Sequence, residues 1–181
     1  MTSGEFMVGG LVGAENEIVI WAMAEDFGSE AAGGGARSTR GLTSKQLGEI
    51  AEAEFIAKAV EKGFVVAKPW GDSEPFDFIV NVRKEFNFWR VQVKSAHVVG
   101  EDGTYSFRAH DHAQKSYTAK EIDALVAYAR PEEAWYVMPV GVVEGLKSVK
   151  LYPGSRRLRS KYERWREAWE VLQRVVRRVG R

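Results

Sequence analysis

The sequence predicts one α/β domain in which a helix, three strands, a helix, a strand and a terminal helix follow in that order. Three observations carry this reading. A chain of 181 residues suits one ordinary core and is short for two. Reciprocal capping signatures open three segments, and runs with two-residue alternation lie between them.

The first helix is expected after Thr43, whose hydroxyl can cap it while Gln46, three residues on, reaches back. It runs to about Lys62, ahead of Gly63. Strand-like runs follow at 64–68, 76–82 and 88–95, the last two alternating as a sheet requires. A second signature, Thr118 with Glu121, opens a helix predicted through about Ala129, and Pro131 separates it from the apolar run 135–140, a fourth strand. A third, Ser160 with Glu163, opens the terminal helix. On it Tyr162, Trp165, Trp169, Leu172 and Val176 recur at three- and four-residue intervals, a stripe suited to docking on the domain. This domain is assigned to residues 43–181. Before it, AAGGGARSTRG (31–41) buries too little apolar surface to offset the entropy of ordering it, so residues 1–42 are read as a disordered extension. Within that extension, ENEIVIWAMAEDF is apolar enough to form a short strand or helix.

Composition narrows the chemistry. The absence of cysteine excludes a disulfide framework, a cysteine zinc site and a thiol nucleophile, and suits the reducing cytoplasm. No run approaches the roughly 18 apolar residues of a membrane span, and no basic leader opens the chain, so a soluble intracellular protein is expected. The net charge of +1 conceals an asymmetry: residues 145–181 hold twelve bases and three acids. A polyanionic partner accounts for this, and a solvated helix face accounts for it equally well.

On the first helix, Glu54, Lys58, Glu61 and Lys62 gather on one side. Glu49 falls on the opposite stripe with Ala53, Ile56 and Val60, which places a carboxylate on the expected core side, where it needs a cation, a metal or a strong donor. Glu52 lies close to that stripe. The helix dipole explains either acid as well as a site does. Asp77 opposes Phe76, Phe78, Val80 and Val82 across its strand, and in the next strand Arg90, Gln92 and Lys94 share one face. Two adjacent strands thus present polar groups to one surface. A carboxylate, an amide oxygen and a main-chain carbonyl suit Mg²⁺, and a lysine beside them can hold or deprotonate a water. An isolated Q-x-K is also what an ordinary solvated sheet face offers.

These residues resemble the PD-(D/E)xK nuclease superfamily: a helix glutamate, an aspartate at the second strand, and Gln92, Val93, Lys94 on the third. Within it, GEIAEAEFI, KPWGDSEPFDFIV, WRVQVKS and EAWYVMPV look most like bacterial endonucleases related to group I intron homing endonucleases. The resemblance implies a restriction-endonuclease-like αβββαβ core with a mixed central sheet and an extra C-terminal helix. It implies a metal-dependent endonuclease that cuts double-stranded DNA with Mg²⁺, Mn²⁺ substituting. Asp77, the Gln92 amide and the Val93 carbonyl would form the metal shell, Lys94 would handle the water, and Glu49 would be an outer or second-metal acid. Most of the superfamily carries a carboxylate where Gln92 stands, so this site has one charge fewer and holds its metal more weakly. A catalytically inactive DNA-binding relative, or a restriction, repair or junction-resolving nuclease, are the alternatives.

His110 and His112, flanking Asp111, lack further ligands beyond His97, and all three histidines are left out of the site. Glu121 and Asp123 are explained by capping and the helix dipole. For DNA phosphates the candidates are Arg156, Arg157, Arg159 and Lys161, with Arg90 beside the cut and Arg174, Arg177 and Arg178 further along the tail. Cutting two strands with one site per chain makes a homo-oligomer, a dimer or tetramer, the expected state.

Overall fold

The computed structural model describes residues 41–71, 73–82, 87–98, 103–155 and 160–174. The expected disorder of the N-terminal extension, Arg156, Arg157 and Arg159, and the tail beyond Arg174 lie outside these residues.

Helix α1 (Ser44–Glu61) starts as its capping box requires. Gln46 N–H donates to Thr43 Oγ1 at 3.2 Å, and Thr43 N–H donates to Gln46 Oε1 at 2.9 Å. It packs on the sheet through Ala51, Phe55 and Ala59, spaced four residues apart. Among the described residues seven strands follow: β1 (Phe64–Ala67), β2 (Phe78–Val82), β3 (Phe88–Val98), β4 (Tyr105–Arg108), β5 (Ala124–Ala129), β6 (Ala134–Pro139) and β7 (Ser148–Leu151), with a single-turn helix α2 (Val140–Val143) after β6. The sheet order is β1-β2-β3-β4-β7, with β5 beside β3 and β6 beside β5. All pairings are antiparallel except β3 with β5, so the sheet is mixed, as expected. The eleven-residue β3 pairs with β2 near its start, β5 along its middle and β4 at its end, which puts the polar positions of β3 at the centre of the sheet.

Two elements differ from expectation. The helix predicted over 118–129 is one turn followed by strand β5. Thr118 and Glu121 do form reciprocal bonds, Thr118 N–H to Glu121 Oε2 at 3.0 Å and Glu121 N–H to the Thr118 carbonyl at 2.9 Å. The chain is then captured by β3: Asp123 N–H donates to the Arg90 carbonyl at 2.8 Å, and the Asp123 carboxylate accepts from Arg90 N–H and guanidinium. Every residue of β5 is buried. Ala124, Val126 and Tyr128 enter the core under α1, whereas Leu125, Ala127 and Ala129 enter a second core with Phe107, Tyr136 and Leu151. A strand apolar on both faces reads as a continuous run, which periodicity does not separate from a buried helix.

The expected C-terminal helix is, over the described residues, two 3₁₀ turns, Glu163–Trp165 and Trp169–Gln173. Main-chain pairing with β6 breaks it. Glu167 N–H donates to the Trp135 carbonyl at 2.7 Å, Trp135 N–H returns a bond to Glu167 Oε1 at 2.9 Å, and Glu167 takes a positive φ of 50°. The Glu163 carboxylate accepts from the Tyr136 hydroxyl instead of closing a cap on Ser160. The apolar stripe still docks: Tyr162, Trp169 and Leu172 are buried. Trp169 lies 6.0 Å from Phe55 and 5.7 Å from Trp135, ring centre to ring centre.

Candidate active site

Asp77 stands one residue before β2. Its N–H donates to the Val91 carbonyl at 2.9 Å, and this pairing sets the carboxylate over the middle of β3. There Oδ2 accepts from Gln92 Nε2 at 2.6 Å and from Val93 N–H at 2.7 Å. Lys94, two residues after Gln92 on the same face, is half-buried, and its Nζ sits 5.4 Å from the centre of the Tyr117 ring. The structure therefore brings Asp77, Gln92, Val93 and Lys94 together.

Glu49 does not join them. Its side chain is 61% exposed and meets Lys45 at 3.8 Å along the helix. The reason lies in which stripe of α1 is buried. Glu49 precedes Ala51 by two residues, roughly 200° around the axis, and its companions Ile56 and Val60 are 39% and 55% exposed. Glu52, next to Ala51, is the helix acid on the site side. It is half-buried, accepts from Lys68 Nζ at 2.8 Å, and exerts its charge on both Asp77 and Lys94.

Burial pushes the Asp77 carboxyl above the usual carboxylate range, and Glu52 adds to the rise; the Val93 amide, Lys94 and Gln92 oppose it. Burial likewise lowers the Lys94 ammonium below the usual lysine value, against the attraction of Asp77, Glu52 and Asp111. Asp77, desolvated and under the charge of Glu52, favours a cation nearby. The donor set fits a hard divalent ion. Asp77 Oδ1 accepts no hydrogen bond from the described residues, the Val93 carbonyl takes a 3.3 Å bond from Gln92 Nε2, and the Gln92 amide would present its oxygen on turning over. Among the described residues no three His, Asp or Glu side chains form a metal cluster, so such an ion draws on amide and main-chain oxygen and on water as well as carboxylate.

Arg90 follows a different course from its expected place beside the cut. Its guanidinium donates to Asp123 Oδ2 at 3.0 Å and Oδ1 at 2.8 Å, and to the carbonyls of Ala119 and Lys120. It ties β3 to the turn that launches β5. Lys161 is exposed and lies over the Tyr162 ring at 5.1 Å. His110 is absorbed in a local turn, with Nδ1 at 2.7 Å from the Asp111 carbonyl.

Carboxylate, amide and lysine on adjacent strands of a mixed sheet, with a helix acid beside them, are the kinds of group that metal-assisted phosphodiester cleavage calls on. The family model for PD-(D/E)XK endonucleases matches residues 42–172, and the chain belongs to that family. It is thus a DNA endonuclease, of a family whose members generally use divalent metals. Among solved structures it is similar to the bacterial homing endonuclease I-Ssp6803I, with 30% identity and a TM-score of 0.63 over 72% of this chain and 92% of that one. No curated protein matches the chain.

The sequence singled out Glu49 rather than Glu52, one turn on, and did not single out Lys68 or Tyr117, which the structure places beside Glu52 and Lys94. The one available signal was the position of Glu52 beside the apolar stripe.

Proposed function

We propose that this protein is a homing-type endonuclease that hydrolyses phosphodiester bonds of double-stranded DNA with Mg²⁺, Mn²⁺ substituting, and that it works in the cytoplasm as a homo-oligomer. The observation that carries the reading is the convergence of Asp77, Gln92 and Lys94 on one side of β3. Asp77, the Gln92 amide oxygen and the Val93 carbonyl would hold the ion, which supplies charge neutralisation at the phosphate. Gln92 first turns its amide, since here its nitrogen faces Asp77. Lys94, as the ammonium, holds the attacking water beside the phosphate and offsets the negative charge that grows there, the water giving its proton to bulk solvent. Glu52 and Lys68 form a paired flank that keeps the second carboxylate in place. Lys161 and the arginines of 156–159 supply phosphate contacts that set register rather than sequence. The homing assignment is supported by the likeness to I-Ssp6803I, and the oligomer by the apolar residues Ile56 and Val60 left exposed on α1.

The test is cleavage of a DNA library containing long random targets. Purified protein with Mg²⁺ is expected to cut a subset and to tolerate scattered mismatches across the target. Lys94→Ala is expected to slow cutting by about 10²–10⁴-fold while leaving binding largely intact. Cutting that survives Lys94→Ala would remove the assignment, and binding without cutting by the wild type would mark an inactive member of the family.

A further inference from the structure

The Nζ of Lys94 makes no hydrogen bond or ion pair with any described residue, although it is half-buried and its stem is long and flexible. A residue that must aim one charged end at one water and one phosphate gains little from a loose chain. What meets its charged end is the face of Tyr117, 5.4 Å away. That ring is held from both sides. Before it, Ser116 Oγ donates to the Leu146 carbonyl at 3.0 Å and Ser116 bridges to His110; after it, Thr118 closes a turn with Glu121. Only 4% of Tyr117 is exposed, and it packs in the second core with Ile122 and Leu151. Burial, with Asp77, Asp111 and Glu121 nearby, pushes the phenol pKa upward, so the ring stays neutral and keeps its electron-rich face.

We infer that Tyr117 is a positioning residue for the nuclease reaction, its ring face holding the Lys94 ammonium by a cation–π contact so that Nζ is aimed at the water and the scissile phosphate. The inference rests on the proposed function and adds to it a residue outside the Asp77, Gln92, Lys94 motif. The contact also leaves the three donors of Nζ free of partners among the described residues, whereas an ion pair would occupy at least one. Arg108 and Asp111 act on Lys94 at longer range with opposite signs, and neither bonds to Nζ.

Because Tyr117→Leu opens the core and can unfold it, the decisive series keeps the shape. Phenylalanine and phenylalanines carrying one, two and three fluorines are placed at position 117 of the full chain, and single-turnover cleavage with Mg²⁺ is measured beside DNA affinity in Ca²⁺ and the melting temperature. Tyr117→Phe is expected to cut within about two-fold of wild type. The rate is then expected to fall stepwise with each fluorine, reaching roughly two- to thirty-fold for the full loss of a cation–π contact. DNA affinity and melting temperature are expected to stay level. A flat rate across the fluorinated series overturns the inference while leaving the proposed function intact, as does a loss already complete at Tyr117→Phe, which would assign the role to the hydroxyl. Failure of the wild type to cut any DNA removes the proposed function, and this inference with it.

Discussion

Asp77 answers two opposing demands. Its Oδ2 is secured by the Gln92 amide and the Val93 N–H, while burial and Glu52 make its negative charge unfavourable. Since its folded-state pKa is raised, the fold favours the protonated form. The stability contributed by this group is complete below the unfolded carboxyl's pKa and is lost as pH rises through the folded value. In EDTA at pH 7, Asp77→Asn is therefore expected to melt above wild type, with the gap closing as pH approaches 4, and added Mg²⁺ is expected to raise the wild type alone. Scanning calorimetry over pH measures both. The helix acids separate in the same spirit. Glu52→Gln is expected to slow single-turnover cleavage about 10–100-fold, and Glu49→Gln to change it by no more than about two-fold. Equal effects would return the role to the outer acid. At this scale the strand residues were legible, because two-residue alternation assigns a face outright. The helix acid was not: Ala51, Phe55 and Ala59 compete with Ala53, Ile56 and Val60 as apolar stripes, and only packing on the sheet chooses between them.

Among the elements, β5 is where local and long-range preferences part. The Thr118 turn begins as a helix start does, and Arg90 with Asp123 then turns the chain into the sheet. Asp123 is nearly buried, and removing it leaves the Arg90 guanidinium half-enclosed without its carboxylate. Asp123→Ala is expected to cost about 3 kcal/mol in urea unfolding, with DNA affinity of the folded fraction unchanged. Lost affinity without lost stability would instead make Arg90 a DNA contact. The misread helix and the broken terminal helix have one cause. In both, a main-chain partner distant in sequence, Arg90 for Asp123 and Trp135 for Glu167, takes up groups that local patterning assigned to a helix. The first helix and the strands around Asp77 were legible because their caps and alternation are local.

For the whole molecule, charge and exposed apolar surface set the expectations. With twelve bases and three acids in residues 145–181, the logarithm of DNA affinity is expected to fall linearly with the logarithm of salt concentration. Light scattering is expected to find a dimer or tetramer, and Ile56→Glu with Val60→Glu to shift it toward monomer. A monomeric wild type that still cuts both strands would end the oligomer proposal. Composition could state the charge asymmetry, but which apolar residues stay outside emerges only once α1 has chosen its buried face.

Asp77, Gln92 and Val93 are proposed to hold a divalent ion beside Lys94. Anomalous scattering from a crystal soaked in Mn²⁺ tests it most directly. One strong peak is expected, bounded by Asp77 Oδ1, the Gln92 amide oxygen and the Val93 carbonyl, with the Gln92 amide turned from the orientation in which its nitrogen faces Asp77. A crystal saturated with Mn²⁺ that shows no peak there, with Gln92 still donating to Asp77, would contradict it.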